Sequence, residues 1–213
     1  MADDPVPSFV MAVYGADAHA YLRYRQSAHG SPERELHDCL AQLIARDTPS
    51  GRRVLDIGCG FDGYLQATSF ASYIGIDSSS AMLSLHPLRA RPNVTLIQAD
   101  VDDFDYLSLD YNVFVAALVL NYVKDPVRLL ARVRRRSCYF YIILPNPAYD
   151  RAACRAVTNV VELERDGFRF VYYSHSILDI QRILQPSDDL KLSEHGQSGP
   201  GVPHMYVCLS GRW

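Results

Sequence analysis

Apolar residues recur through the middle of the chain in short runs. Val54-Leu55-Asp56-Ile57 comes first. Tyr73-Ile74-Gly75-Ile76, Val94 to Ala99, Asn112 to Ala117 and Cys138 to Leu144 follow. Runs that are apolar at nearly every position suit parallel strands buried on both faces, whereas half-exposed strands alternate. The segments between them have helical length and signals. Ser31 as cap with Pro32 at the first position predicts a helix to about Ala45, and Pro126 opens another to about Arg135. The distance from Gly60 to Tyr73 predicts strand, helix, strand. After Leu144 the pattern predicts a helix over 150–164, a turn at Asp166-Gly167 and an alternating strand from Phe168 to Tyr173. Ser176 caps a further helix to about Leu184, stopped by Gln185-Pro186. Leu190–Glu194 and Met205–Leu209 read as a closing antiparallel pair. The whole is a doubly wound, mostly parallel α/β fold with helices on both faces.

The ends of the strands carry the chemistry. The first run passes through Asp56 into Gly58-Cys59-Gly60, the second closes on Asp77 and the third on Asp100. Open α/β sheets bind ligands at the carboxyl ends of their strands, where an acid can meet a ribose, an ammonium or an ordered water. Glycines there permit positive φ and bring a ligand against the backbone. The glycines alone also suit a plain structural turn; three successive acids favour a nucleoside site. A nicotinamide site fits less well, because the turn lacks a clean G-x-G-x-x-G.

On these residues the chain resembles the class I, seven-stranded S-adenosylmethionine-dependent methyltransferases, small-molecule branch, over about Val54 to Pro147. The resemblance implies a seven-stranded sheet with an antiparallel final strand, an N-terminal helical cover and a lid inserted after strand five. It implies S-adenosyl-L-methionine as cofactor and S-adenosyl-L-homocysteine as product. Asp56, Gly58, Cys59 and Gly60 then hold the methionine part, Asp77 and Ser78 the ribose, Asp100 and Val101 the adenine. Leu118 stands beside the methionine, and Tyr14 in the cover over the cofactor. One departure lies within the turn: Asp62 replaces the usual third glycine, and Gly63 follows it. The chain divides as one domain over 1–213: cover 1–50, cofactor core 51–147, lid 148–178, last helix and closing strands 179–213.

Composition narrows the partners. A formal net charge of −3 offers no field for a nucleic acid, and the basic run Arg132–Arg136 reads as a solvated helix end. Five cysteines without a C-x-x-C pair suggest neither a disulfide framework nor zinc, and fit a reducing compartment. The expected setting is cytoplasmic, with a small-molecule acceptor, no nucleic acid, no membrane, and a monomer or homodimer. No metal is expected, since Asn112 and Asn146 stand where carboxylates would be sought.

Methyl transfer demands alignment and dehydration of the acceptor, and a base where the nucleophile carries a proton. His175, between a lid strand and a helix start, is the candidate general base; a capping or surface histidine is its alternative. Glu194, His195 and His204 rank below it. Tyr21, Tyr122 and Asn146 are candidate substrate contacts, although Tyr122 also suits the core and Asn146 a turn. The expected activity is methyl transfer to oxygen or nitrogen of a small acceptor, in natural-product biosynthesis. The alternatives are cofactor binding without transfer, as a partner subunit or cyclase, and a protein or RNA acceptor.

Overall fold

The computed structural model describes residues 19, 22, 31–61, 63–66, 68–145, 160–165, 168–173, 175, 177–185, 188–195 and 206–213. Tyr14, Tyr21, Tyr24, Asn146, Ser176 and His204 lie outside the described residues, as does Asp62.

Five strands run parallel: β1 (Arg53–Ile57), β2 (Ser72–Asp77), β3 (Val94–Gln98), β4 (Val113–Ala117) and β5 (Tyr139–Pro145). β6 (Val160–Arg165) and β7 (Phe168–Tyr173) form a separate antiparallel pair. β8 (Asp188–His195) and β9 (Tyr206–Arg212) complete the main sheet, in the order β3-β2-β1-β4-β5-β9-β8. β9 is antiparallel to both neighbours, so the reversed final strand expected from the resemblance is present.

Strand alternation divides the core in two. On β4, Phe114 and Ala116 face one layer with Leu55, Ile57, Phe140 and Ile142, while Val113 and Val115 face the other with Val54, Tyr141 and Ile143. Helix α1 (Ser31–Asp47) covers the second face through Leu36, Leu40 and Ile44. These recur every four residues, the spacing of one helical stripe. Helices α3 (Pro126–Val133) and α4 (Ile177–Leu184) cover the first face through Leu129, Leu130, Val133, Ile180 and Leu184. Asp125 caps α3 by accepting from the Arg128 amide at 2.9 Å, with Pro126 at its start. The short α2 (Ser80–Leu85) follows β2 and is capped by Ser79.

Two expected helices are corrected. Between β1 and β2 no helix forms among the described residues; the chain passes through turns, with Gln66 N–H donating to the Gly63 carbonyl and Thr68 N–H to the Leu65 carbonyl. Returning along a strand the length of β1 takes about eleven helical residues at ~1.5 Å each. Once the glycine turn has used 58–63, too few remain. The second correction falls on the end of the helix expected over 150–164: residues 160–165 are β6, paired from Val160↔Tyr173 to Arg165↔Phe168, and 150–159 lie outside the described residues. Adjacent valines and an aromatic-rich partner favour cross-strand pairing over a helix.

The basic run is also more than a solvated helix end. Arg132 donates to the Asp102 and Phe104 carbonyls and Arg135 to the Tyr106 carbonyl, so α3 clamps the loop after β3. Their guanidiniums also lie over the Tyr106 and Tyr111 rings.

Candidate functional site

The sheet order reverses at β1, between β2 and β4, and there the predicted residues converge on the carboxyl edge. The turn after β1 is tied to the end of β2: Gly58 and Cys59 N–H both donate to the Ile76 carbonyl, at 2.7 and 3.2 Å. Gly58 and Gly60 have φ of +63° and +52°. Their demands differ. A Cβ at Gly58 would lie 2.3 Å from a Val119 methyl, so this glycine lets β1 and the turn after β4 approach each other. A Cβ at Gly60 would meet nothing within 4 Å. Gly60 therefore presents bare backbone to open space.

Asp77 ends β2 and joins two segments. Gly60 N–H donates to its Oδ2 at 2.9 Å, and Ser79 N–H to its Oδ1 at 2.8 Å. Half-buried beside the open face of Gly60, this carboxylate is the described acid best placed to receive a diol. Ser78 contributes a carbonyl that accepts from Gln98. Asp100 lies just past β3, exposed, its Oδ1 accepting from the Asp102 amide at 2.9 Å. The Val101 carbonyl accepts from the Tyr106 hydroxyl at 2.7 Å.

Asp56 is buried, and its Oδ2 accepts hydrogen bonds from both Tyr64 and Tyr73, each 2.7 Å. The tyrosines thus engage one oxygen of the acid that the resemblance assigns to the methionine part. Two hydroxyl donors stabilise a buried carboxylate. Tyr73, buried beside that charge, has its own pKa pushed well up, chiefly by desolvation. His86 Nδ1 accepts from the Leu88 amide at 3.2 Å, which in the neutral ring leaves Nε2–H facing the Tyr73 oxygen 3.4 Å away. Tyr64 also stacks on His37 of α1, ring centroids 4.9 Å apart, so the helix-free connection is anchored at its middle. The Cys59 thiol, buried between Asp56 and Asp77, is likewise raised well above its ordinary value, first by desolvation and then by the two acids. It stays protonated. Neither tyrosine was singled out in the sequence, because no spacing rule links a strand acid to hydroxyls eight and seventeen residues on.

Leu118 has φ +58°, a left-handed conformation rare for a branched side chain, and its N–H donates to the Ile143 carbonyl at 3.0 Å. A 3₁₀ turn, Leu120–Tyr122, follows. Tyr122 is half-buried in it. His175 Nε2 lies 2.8 Å from the Val123 carbonyl, and its ring tilts against Tyr173 at 5.8 Å. Burial lowers its pKa, opposed by the carbonyls of Val123 and Leu120. His175 thus ties the end of β7 to the turn after β4. Within the N-terminal cover, Leu22 packs with Phe61 of the glycine connection and Met82 of α2. Glu194 and His195 lie on β8, paired with Val207 and Tyr206. Asn112 Oδ1 accepts from the Arg53 amide at 2.8 Å, at the opposite end of the strands. Among the described residues no three acids, histidines or cysteines gather as a metal site. Among them, too, no helix is long and apolar enough to cross a membrane.

A family profile for a methyltransferase domain matches residues 21–181. The chain is 29% identical over 153 residues to trans-aconitate 2-methyltransferase of Deinococcus radiodurans, covering 67% of this chain and 55% of that protein. It thus spans about half the length of that relative. Among solved structures, DhpI in complex with SAM and HEP superimposes with a TM-score of 0.71 at 16% identity, covering 100% of both chains. The magnesium protoporphyrin IX methyltransferase of Synechocystis PCC 6803, with bound SAM, gives 0.64 at 17% identity, covering 100% of this chain and 99% of that one. An S-adenosylmethionine-dependent methyltransferase of Mesorhizobium loti gives 0.62 at 17%, covering 82% and 96%.

Proposed function

This chain belongs to the methyltransferase-domain family matched over residues 21–181, and from that membership we propose that it is an S-adenosylmethionine-dependent enzyme that methylates an oxygen or nitrogen of a small organic acceptor. The observation that carries the reading is the pairing of Gly60 with Asp77: bare backbone facing open space, beside a carboxylate already oriented by two amides.

The residues present fit that cofactor. When bound, it supplies a sulfonium methyl open to in-line displacement, leaving S-adenosylhomocysteine. Asp77 receives the ribose hydroxyls without reorganising, since its amide partners fix both oxygens. Asp100 and Val101 meet the adenine edge, on a loop that Arg132 and Arg135 hold through its carbonyls. The Leu118 backbone borders the methionine end. Asp56 acts from beneath, fixing the turn through Tyr64 and Tyr73 rather than touching the ligand. The β6–β7 hairpin, tied down by His175, excludes water from the acceptor. Neutral His175 donates Nε2–H to Val123 and keeps its lone pair on Nδ1, the atom that takes the acceptor's proton. Similarity to trans-aconitate 2-methyltransferase makes small carboxylic acids the first acceptors to try, within biosynthesis of small molecules.

A second reading, binding without transfer, draws on the absence of a helix among the described residues between β1 and β2 and on the engagement of His175 Nε2 by a carbonyl. Calorimetry with S-adenosylhomocysteine, followed by incubation with methyl-labelled cofactor and trans-aconitate, simple phenols and amines, separates the two. Uptake with label transferred is the expected result. Uptake with label never transferred supports the second reading, and no uptake overturns both.

A further inference from the structure

Asn121 lies in the 3₁₀ turn after β4, is 6% exposed, and its Oδ1 has no hydrogen-bond partner among the described residues. Three peptide groups beside it are paired. Tyr122 N–H donates to the Val119 carbonyl, Val123 N–H to the Leu120 carbonyl, and the Val123 carbonyl meets His175. Two other buried side-chain atoms among the described residues lack a hydrogen bond, and both lie elsewhere. Arg53 Nε sits 3.0 Å from an Asp110 carboxylate oxygen, so its charge is paired. Trp213 Nε1 belongs to the opposite end of the sheet, where the Trp213 backbone bonds to Cys138 and Ser137.

Leaving a buried amide oxygen unpaired costs stability, and native proteins hold few such groups. Position supplies a reason for this one. Two residues before it, Val119 packs against Gly58 of the cofactor turn; two residues after it, Val123 is gripped by His175 beneath the hairpin. Asn121 thus stands in the turn whose flanking residues touch the glycine turn, through Val119, and the end of β7, through Val123 and His175.

We infer that Asn121 determines acceptor specificity, its side-chain carbonyl accepting a hydrogen bond from an O–H or N–H of the methyl acceptor. This rests on the methyltransferase reading and deepens it. Asn121 Oδ1 cannot donate, so it selects acceptors that bring a proton donor: hydroxy compounds, amines or protonated acids. A site built around such a bond strongly rejects analogues that lack the donor.

The test uses the full chain with Asn121→Leu, close in shape but apolar, and Asn121→Ser, which keeps an oxygen. Melting is followed without acceptor, S-adenosylhomocysteine binding by calorimetry, and label transfer to trans-aconitic acid, catechol and tyramine. Asn121→Leu is expected to melt about 2–4 °C higher, because the unpaired oxygen is gone. It should bind S-adenosylhomocysteine within about twofold of the native protein and lose about tenfold or more in transfer. Asn121→Ser should retain more transfer than Asn121→Leu, an order that a purely packing role does not give. If both variants melt lower than the native protein, the oxygen is satisfied by structural water and the inference falls; the melting arm decides even where no probe is methylated. Normal cofactor binding with undiminished transfer in Asn121→Leu removes this assignment alone. Native protein that takes up no S-adenosylhomocysteine removes the methyltransferase reading beneath it.

Discussion

At the residue scale, Gly58 and Gly60 look alike in sequence and differ in what a methyl group would meet. Gly58→Ala combines a left-handed backbone costing about 1–2 kcal/mol with a collision against Val119, so a loss of about 3 kcal/mol is expected in urea denaturation. Gly60→Ala carries the backbone cost alone, about 1–2 kcal/mol, and places its methyl in the open space proposed for the cofactor. Its expected signature is a roughly tenfold or greater loss of S-adenosylhomocysteine affinity in a protein that still folds. Equal affinity in Gly60→Ala and native protein would detach the glycine turn from cofactor binding.

At the element scale, the β6–β7 hairpin has its own titratable fastening. Burial holds the His175 pKa below its ordinary 6.5, so the folded protein favours neutral imidazole. The sign follows from linkage: the contribution is complete above about pH 6.5 and is lost as pH falls through the lower folded value, because the unfolded chain binds the proton more readily. His175→Gln keeps a donor for the Val123 carbonyl and cannot titrate. Its melting midpoint should therefore fall less steeply than the native one between about pH 7.5 and 5.5. In the native enzyme the methylation rate should rise with pH through the folded His175 value, and in the variant that limb should vanish with a loss of about 10²–10⁴ in rate. A pH-rate profile shared by both leaves His175 as a fastening only.

The hairpin also shows where sequence reading reached and where it stopped. Phe168 to Tyr173 alternates and was legible as a strand. Its partner at 160–165 was not, since Val160-Val161-Glu162-Leu163-Glu164 fits helical and extended spacing alike until a neighbouring strand offers pairing. The connection after β1 was misread because a familiar glycine turn implied a helix that residues 64–71 are too few to build. Asp56 was legible as an acid at the end of the first strand, whereas its tyrosine partners are tertiary facts. Asn121 left only a faint trace, one amide inside the apolar stretch Leu118–Val123.

At the scale of the whole molecule, the five parallel strands were legible because buried parallel strands write continuous apolar runs, and the reversed member was implied by the family resemblance. The glycine turn, Asp77, the loop after β3 and the turn after β4 come from separate segments that meet only in the folded sheet. Ligand binding should therefore stabilise the entire fold. At a hundredfold excess over Kd, S-adenosylhomocysteine should add about 2.7 kcal/mol, a rise of about 5–10 °C in melting midpoint for a chain of this size. Asp77→Ala should melt below the native ligand-free value, since the Gly60 and Ser79 amides lose their acceptor, and respond to ligand by little; a full rise in that variant would move the nucleoside elsewhere.

β9 is the latest strand in chain order and yet lies inside the sheet, between β5 and β8. A ribosome delivers it after every strand it must join. Until it emerges, the nascent β5 exposes an apolar border and β8 has no neighbour to bond, so the polypeptide leaves the exit tunnel with its hydrogen-bonding ladder open in the middle. Such an unfinished border is where one nascent copy can capture another, and timely insertion of this single segment separates productive maturation from self-association.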